Sequence, residues 1–287
     1  MGADIGALDN PGPILAQSVL FGVLFVSAVY AMGLGFICIL SFLSRRKLSL
    51  AEPLELYTKA NLCKYLPGNV MHFIARNLYA QKIGMSQGQM ALGSLLEIGF
   101  AAAVACILCL LLARELFFVL AGEYIRWQLY LIAGLVLLLA AGIALWFLAK
   151  TKRLAKWIEE IKEYKLTPML FVKLSLKLTG LMAYFHLFAG LLFFILLQQV
   201  APEAEVSLTR VLPAYIIAWL LGYITPGAPG GMGVKEAILT LLLGDVYGRG
   251  VVLIAALLFR LTTVIADVLA FGFVFAYRAF THKRISE

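Results

Sequence analysis

Charge is what this chain has least of. Charged residues make up only 14% of its 287 residues, against about a quarter in an ordinary soluble protein. Such a shortage excludes a solvated globular surface, and no polar stretch exceeds roughly 20 residues, too short for a separate soluble core. Histidine and cysteine are also scarce, at three and four residues. Cys38, Cys106 and Cys109 lie inside apolar runs and Cys63 lies beside a helix break. The Cys106-x-x-Cys109 pair has no second pair or nearby histidine to complete a metal or redox site, so packing is its expected role. No G-x-x-x-x-G-K-[ST] loop is present, which argues against an ATPase. H-E-x-x-H, G-x-S-x-G and paired-carboxylate signatures are missing too, so no catalytic residue, metal or cofactor is expected. Residues 1–13 carry Asp4 and Asp9 but no Lys or Arg, unlike the charged start of a secretory signal.

What the chain does have is apolar length. Hydrophobic residues reach 62% and the mean hydropathy is +0.93, as in a polytopic membrane protein. Five segments are long enough to span: 14–43, 86–112, 126–149, 168–199 and 250–278. Two more, 59–84 and 207–243, are broken. The net charge of +8 sits beside the spans, where it reads as an orientation signal with some attraction to anionic lipid rather than as a nucleic-acid surface. Basic clusters follow at Arg45-Arg46-Lys47, from Lys150 to Lys165, and at Arg278, Lys283 and Arg284. The opposite ends are nearly neutral, so the N-terminus is expected outside and the C-terminus in the cytoplasm. Lys173 and Lys177 fit snorkelling near the cytoplasmic side, and 152–165 reads as an interfacial helix around Trp157.

The layout repeats. Span, broken pair, span over 14–112 matches the same series over 168–278, with 113–167 as the connecting helix and basic link. The shift that superposes Pro67-Gly68 on Pro226-Gly227 also puts Leu62 on Leu221 and Arg76 on Lys235. Orientation requires each broken pair to return to its own side or to cross an even number of times, and loop charge does not separate the two. The expected architecture is all-α, one membrane domain with five spans and two re-entrant pairs in an inverted repeat. The first broken segment carries Lys59, Lys64, His72, Arg76 and Lys82 and is either re-entrant from the cytoplasm or interfacial. In the second, 208–224 is long enough to cross. The helix after Gly233 has about ten residues before Gly244-Asp245, roughly half a membrane, and reads as a hairpin re-entering from outside.

Pro removes a backbone donor and Gly admits unusual backbone angles, so these breaks free polar groups that need partners at membrane depth. A helix starting near Val234 aims unpaired N–H groups inward, and Lys235 in its first turn is electrostatically disfavoured there unless an anion binds. Gly230, Gly231 and Gly233 allow a close approach to the backbone. Around Pro67 and Gly68 the arrangement repeats more weakly, with Asn69 as an N-cap candidate and His72 and Arg76 following. The plainer alternative is two tight turns with Lys235 snorkelling to an interface. Glu97, mid-span, needs a cation from Arg76, Lys235 or Arg260. Arg260 and Asp267, two turns apart, pair with each other or face one cavity. Glu236 reads first as a helix-start cap and otherwise as a coupling group. His186 reads as a satisfied core histidine.

Lys64-Tyr65-Leu66-Pro67-Gly68-Asn69-Val70 with Arg76, and Thr225-Pro226-Gly227 through Gly230-Gly231-Met232-Gly233-Val234-Lys235-Glu236-Ala237, carry a family likeness. The chain resembles the lysylphosphatidylglycerol synthase transmembrane family over most of its length. The resemblance implies a flippase domain without the soluble aminoacyl transferase found in multiple peptide resistance factors. It thus implies movement of a lipid with an anionic head group, such as an anionic or aminoacyl phospholipid or a polyprenyl-phosphate sugar. Lys64, Arg76, Lys235 and the Gly230–Gly233 backbone would hold the phosphate, and Glu97, Glu236, Arg260 and Asp267 would balance charge or carry protons. Movement is then passive or coupled to an ion or proton, across the cytoplasmic membrane. Two other readings compete: a membrane-embedded lipid-phosphate transferase or hydrolase using His72 or His186 with Asp267, and a non-catalytic membrane partner of a glycosyltransferase or synthase.

Overall fold

A computed structural model describes residues 11–66, 70–112, 168–225 and 227–285. These residues form eight α-helices and no β-strand. In chain order they are α1 (Pro11–Ser44), α2 (Ala51–Leu62), α3 (Met71–Tyr79), α4 (Gln87–Leu112), α5 (Pro168–Val200), α6 (Leu208–Ile224), α7 (Val234–Tyr247) and α8 (Arg249–Ile285). Four stretches, Ala16–Ser44, Gln87–Leu112, Met169–Val200 and Arg249–Thr281, are long and apolar enough to cross a membrane. The shortest has 26 residues, about 39 Å at 1.5 Å per residue, more than the ~30 Å hydrocarbon core. Their outer faces are apolar: Leu110 is 82% exposed and Leu176 is 69% exposed, positions that water would penalise and lipid accepts. The protein is an all-α polytopic membrane protein. The expected span at 126–149 and the interfacial helix at 152–165 lie outside the described residues.

Both breaks fall where Pro and Gly put them. α2 starts at Ala51, earlier than the expected 59, and tightens into a 3₁₀ turn at Cys63–Tyr65 before α3. Val70, not Asn69, takes the N-cap position of α3 and makes no side-chain cap; Pro67, Gly68 and Asn69 lie outside the described residues. In the second break, α6 ends at Ile224 and a 3₁₀ turn at Pro229–Gly231 leads to α7. Gly230 sits at φ 58 inside that turn, a left-handed conformation that a side chain would strain. α7 corrects one expectation. It does not stop before Gly244-Asp245 but runs for 14 residues to Tyr247, about 21 Å. Gly244 is absorbed as a packing position: the chain turns into α8 at Gly248, φ 86, and a Cβ on Gly244 would lie 2.8 Å from Arg249 Cγ.

The described residues up to Leu112 and from Leu174 onward make one compact unit. Within it, α1 packs along α8. A Cβ on Gly22 would come within 2.7 Å of Ile265, so a small residue sets their approach, as is common between membrane helices. α7 packs on α6 and α8, and α2 packs on α1, α3 and α8. Near the end of α8, Arg278 reaches back to α2, bonding Glu52 at 3.1 Å and pairing with Glu55.

Candidate functional site

The broken elements meet. A Cβ on Gly230 would lie 3.4 Å from the Tyr65 ring and 3.6 Å from the Arg260 guanidinium, so the two turns are in contact. Above them lies a cavity of about 1140 Å³ including its open mouth, lined by side chains from every one of α1 to α8. Its wall is divided. Phe25, Phe185, Tyr215, Trp219 and Phe259 form an aromatic part, with rings in edge-to-face contact at 5.3 to 6.0 Å. The remainder holds Lys64, Arg76, Lys235 and Arg260 with Glu97, Glu236 and Asp267.

Three of the four cations are paired. Arg76 pairs with Glu97 at side-chain exposures of 2% and 1%, a burial that requires pairing because an isolated ion would be far too costly. Tyr57 donates to the same carboxylate at 2.9 Å, and the guanidinium lies over the Tyr57 and Phe36 rings at 4.3 and 4.5 Å. Lys64 meets Asp267 at 2.6 Å, and Asn61 and Tyr65 donate to that carboxylate at 2.7 and 2.5 Å. Arg260 donates to Glu236 at 2.9 Å and to the Pro229 carbonyl at 3.2 Å, fixing the glycine turn to α8. His72 lines the cavity as well. Burial, then the charges of Arg76 and Lys64, push its imidazole down to about 3, so it is neutral at pH 7.

Lys235 is the exception. Its stem runs through a slot between two glycines: a Cβ at Gly222 would lie 2.5 Å from Lys235 Cγ, and one at Gly231 would lie 2.8 Å from Lys235 Cε. Among the described residues no carboxylate pairs with its ammonium and nothing accepts a hydrogen bond from it. It is the second residue of α7, whose N-cap Gly233 supplies no side-chain cap. The N-terminal helix dipole therefore adds to the positive potential around it.

Several expectations are refined. Arg76, Lys235, Glu97, Glu236, Arg260, Asp267, Lys64, His72 and Gly230 all line this cavity. Glu97 finds Arg76 among its three candidate partners. Arg260 and Asp267 face one cavity without pairing, because each reaches across to a different broken element. Glu236 caps nothing; it lies in the first turn of α7 and pairs with Arg260. Gly231 faces the Lys235 stem and Gly222, whereas a Cβ on Gly233 would meet nothing within 4 Å. His186 is fully buried against Trp219 at 4.6 Å. It is not satisfied: neither ring nitrogen makes a well-formed hydrogen bond, although the Ala101 carbonyl is its backbone neighbour. Lys173 and Lys177 are exposed on α5, and all four cysteines are free thiols. No group of three or more His, Cys, Asp or Glu that would hold a metal occurs among the described residues.

The residues not anticipated are neutral. Tyr57, Asn61 and Tyr65 complete the carboxylate shells, and Gly222 makes the lysine slot. Tyr65 carries a visible signal, lying between Lys64 and the Pro-Gly break, and Gly222 is a lone glycine in an apolar helix, a pattern that marks close packing. Tyr57 and Asn61 carry none, since only the packing of α2 turns them inward, Tyr57 toward α1 and Glu97 and Asn61 toward Asp267 of α8. The chain matches no protein-family model, and none of the curated proteins matches it.

Proposed function

We propose that the protein is a lipid flippase of the cytoplasmic membrane, binding the anionic head group of a phosphate-bearing lipid in the cavity between its two broken elements while the chains stay in the bilayer. One observation carries this reading: four cations face three carboxylates in a half-apolar cavity, and the fourth cation, Lys235, has no partner among the described residues. An uncompensated ammonium in such a place is costly unless an anion joins it. The aromatic wall gives the rest of an amphipathic ligand an apolar surface, as in most small-molecule sites. The resemblance to the lysylphosphatidylglycerol synthase transmembrane family points the same way, as does broken helices lying in corresponding places of two halves. In this reading the halves form an inverted repeat, the N-terminus is outside and the C-terminus cytoplasmic. Lys235 is the direct head-group contact, and Arg76 acts through Glu97 to shape the wall.

The test is lipid movement in liposomes holding the purified protein, followed by bleaching of fluorescent lipid in the outer leaflet. Wild type should move anionic lipid, and Lys235→Gln should lose at least tenfold in rate while eluting as a folded monodisperse species. Absence of transport for every phospholipid and polyprenyl lipid tried would sink the proposal. Chemical change of a lipid phosphate by the purified protein would favour an embedded transferase or hydrolase instead.

A further inference from the structure

The same site has a definite charge capacity and a carboxylate oxygen left without a donor, and the inference drawn from them rests on the flippase reading. Lys64–Asp267, Arg76–Glu97 and Arg260–Glu236 are closed pairs. Lys235 alone remains, so the cavity carries one net positive charge. A singly charged head group neutralises it. A doubly charged one leaves a negative charge beside three carboxylates in a low-dielectric pocket, where like charges repel strongly. Opening an existing pair to supply a second cation would strand a buried carboxylate.

The acceptors are also nearly used up. Asp267 receives Asn61, Tyr65 and Lys64, and Glu97 receives Tyr57 and Arg76. Glu236 keeps one buried carboxylate oxygen, Oε2, with no partner. It follows Lys235 directly in the sequence and shares the cavity wall. A buried carboxylate oxygen without a donor is destabilising, and a hydroxyl or ammonium carried by the ligand would complete it after a small side-chain rotation.

We propose that the cavity selects a singly charged phosphodiester lipid whose head group carries its own hydrogen-bond donor, with the phosphodiester at Lys235 and the donor at Glu236. Phosphomonoester and diphosphate lipids carry too much charge, and a choline head group has neither the net charge nor a donor.

Head-group selectivity of the wild-type protein in liposomes tests this without relying on any variant. Fluorescent phosphatidylglycerol has one negative charge and hydroxyls; phosphatidylmethanol has the charge but no donor; phosphatidic acid carries up to two charges; phosphatidylcholine is net neutral. Phosphatidylglycerol should cross at least tenfold faster than phosphatidic acid and phosphatidylcholine, and severalfold faster than phosphatidylmethanol. Equal rates for phosphatidic acid and phosphatidylglycerol overturn the charge limit, and equal rates for phosphatidylmethanol overturn the donor. Inorganic phosphate at millimolar concentration should not compete; competition would mean that the site reads a free anion and not a lipid. Lys235→Gln should bring the phosphatidylglycerol-to-phosphatidylcholine ratio close to one, and an unchanged ratio refutes its role. If no lipid crosses, the flippase reading fails. Fluorescence of Trp219, isolated by replacing the other three tryptophans, then decides whether short-chain forms still bind in the same order. Binding without that order refutes the selectivity by itself.

Discussion

Removing either member of the Arg76–Glu97 pair should damage the fold far more than removing both. The two side chains are 2% and 1% exposed, so a lone survivor keeps its desolvation cost and loses its counter-ion. Arg76→Met strands a carboxylate with only the Tyr57 hydroxyl, which should cost about 3–5 kcal/mol. Glu97→Leu leaves a guanidinium with no acceptor between the Phe36 and Tyr57 rings. Those faces return about 2 kcal/mol of cation–π attraction, so its loss should fall toward the lower end of the same range. In Arg76→Met/Glu97→Leu neither charge is present and the volumes are roughly kept. That double variant should lie within about 1–2 kcal/mol of wild type, giving a coupling energy of at least about 3 kcal/mol. Reversible unfolding of all four proteins in mixed detergent micelles measures the cycle. Additive losses, with the double variant as unstable as the two single losses combined, would refute the reading of Arg76 and Glu97 as a mutually dependent buried pair.

Gly222→Ala places a methyl 2.5 Å from Lys235 Cγ and 2.9 Å from its Cε. Overpacking of about 1–3 kcal/mol is partly offset by about 1 kcal/mol of helix propensity, so unfolding should change little while anionic lipid movement in liposomes falls severalfold. Asp267→Ala removes the acceptor for Lys64, Tyr65 and Asn61 at once and should cost about 3 kcal/mol in the same unfolding assay; Asp267→Asn should cost less. His72 is held neutral, down to about 3, whereas in the unfolded chain it takes up a proton below about pH 6.5. Stability should therefore decline as pH drops from about 6.5 toward 3, and unfolding midpoints of His72→Asn should decline less steeply over that window.

How far the sequence could be read depended on the range of the interactions involved. The four described spans follow their apolar runs closely, because length and hydropathy alone decide what crosses lipid. Both breaks fall at Pro-Gly positions for an equally local reason. The extra turn of α7 is not legible in the sequence because Gly244 reads as a helix end. Only its contact with Arg249 shows that it is a packing position. The charged residues of the site were visible as intramembrane charges, but their pairing was not. Arg260 and Asp267 are natural neighbours on one helix, yet each finds a carboxylate or a lysine from a distant segment. Nothing in the local pattern encodes that choice. Glu236 reads as a cap for the same reason, since its position in the first turn of α7 satisfies the local rule while its partner lies on α8.

α8 holds both elbows on one rod. At Asp267 it grips the end of α2 through Asn61, Lys64 and Tyr65, and two turns away at Arg260 it grips Glu236 and the glycine turn. The two broken elements are thus not autonomous modules. A fragment ending before α5 would lack the carboxylate that settles its lysine, and a fragment beginning there would leave that carboxylate bare. The ion pair of Lys64 with Asp267 therefore ties the first broken element to the last helix of the chain.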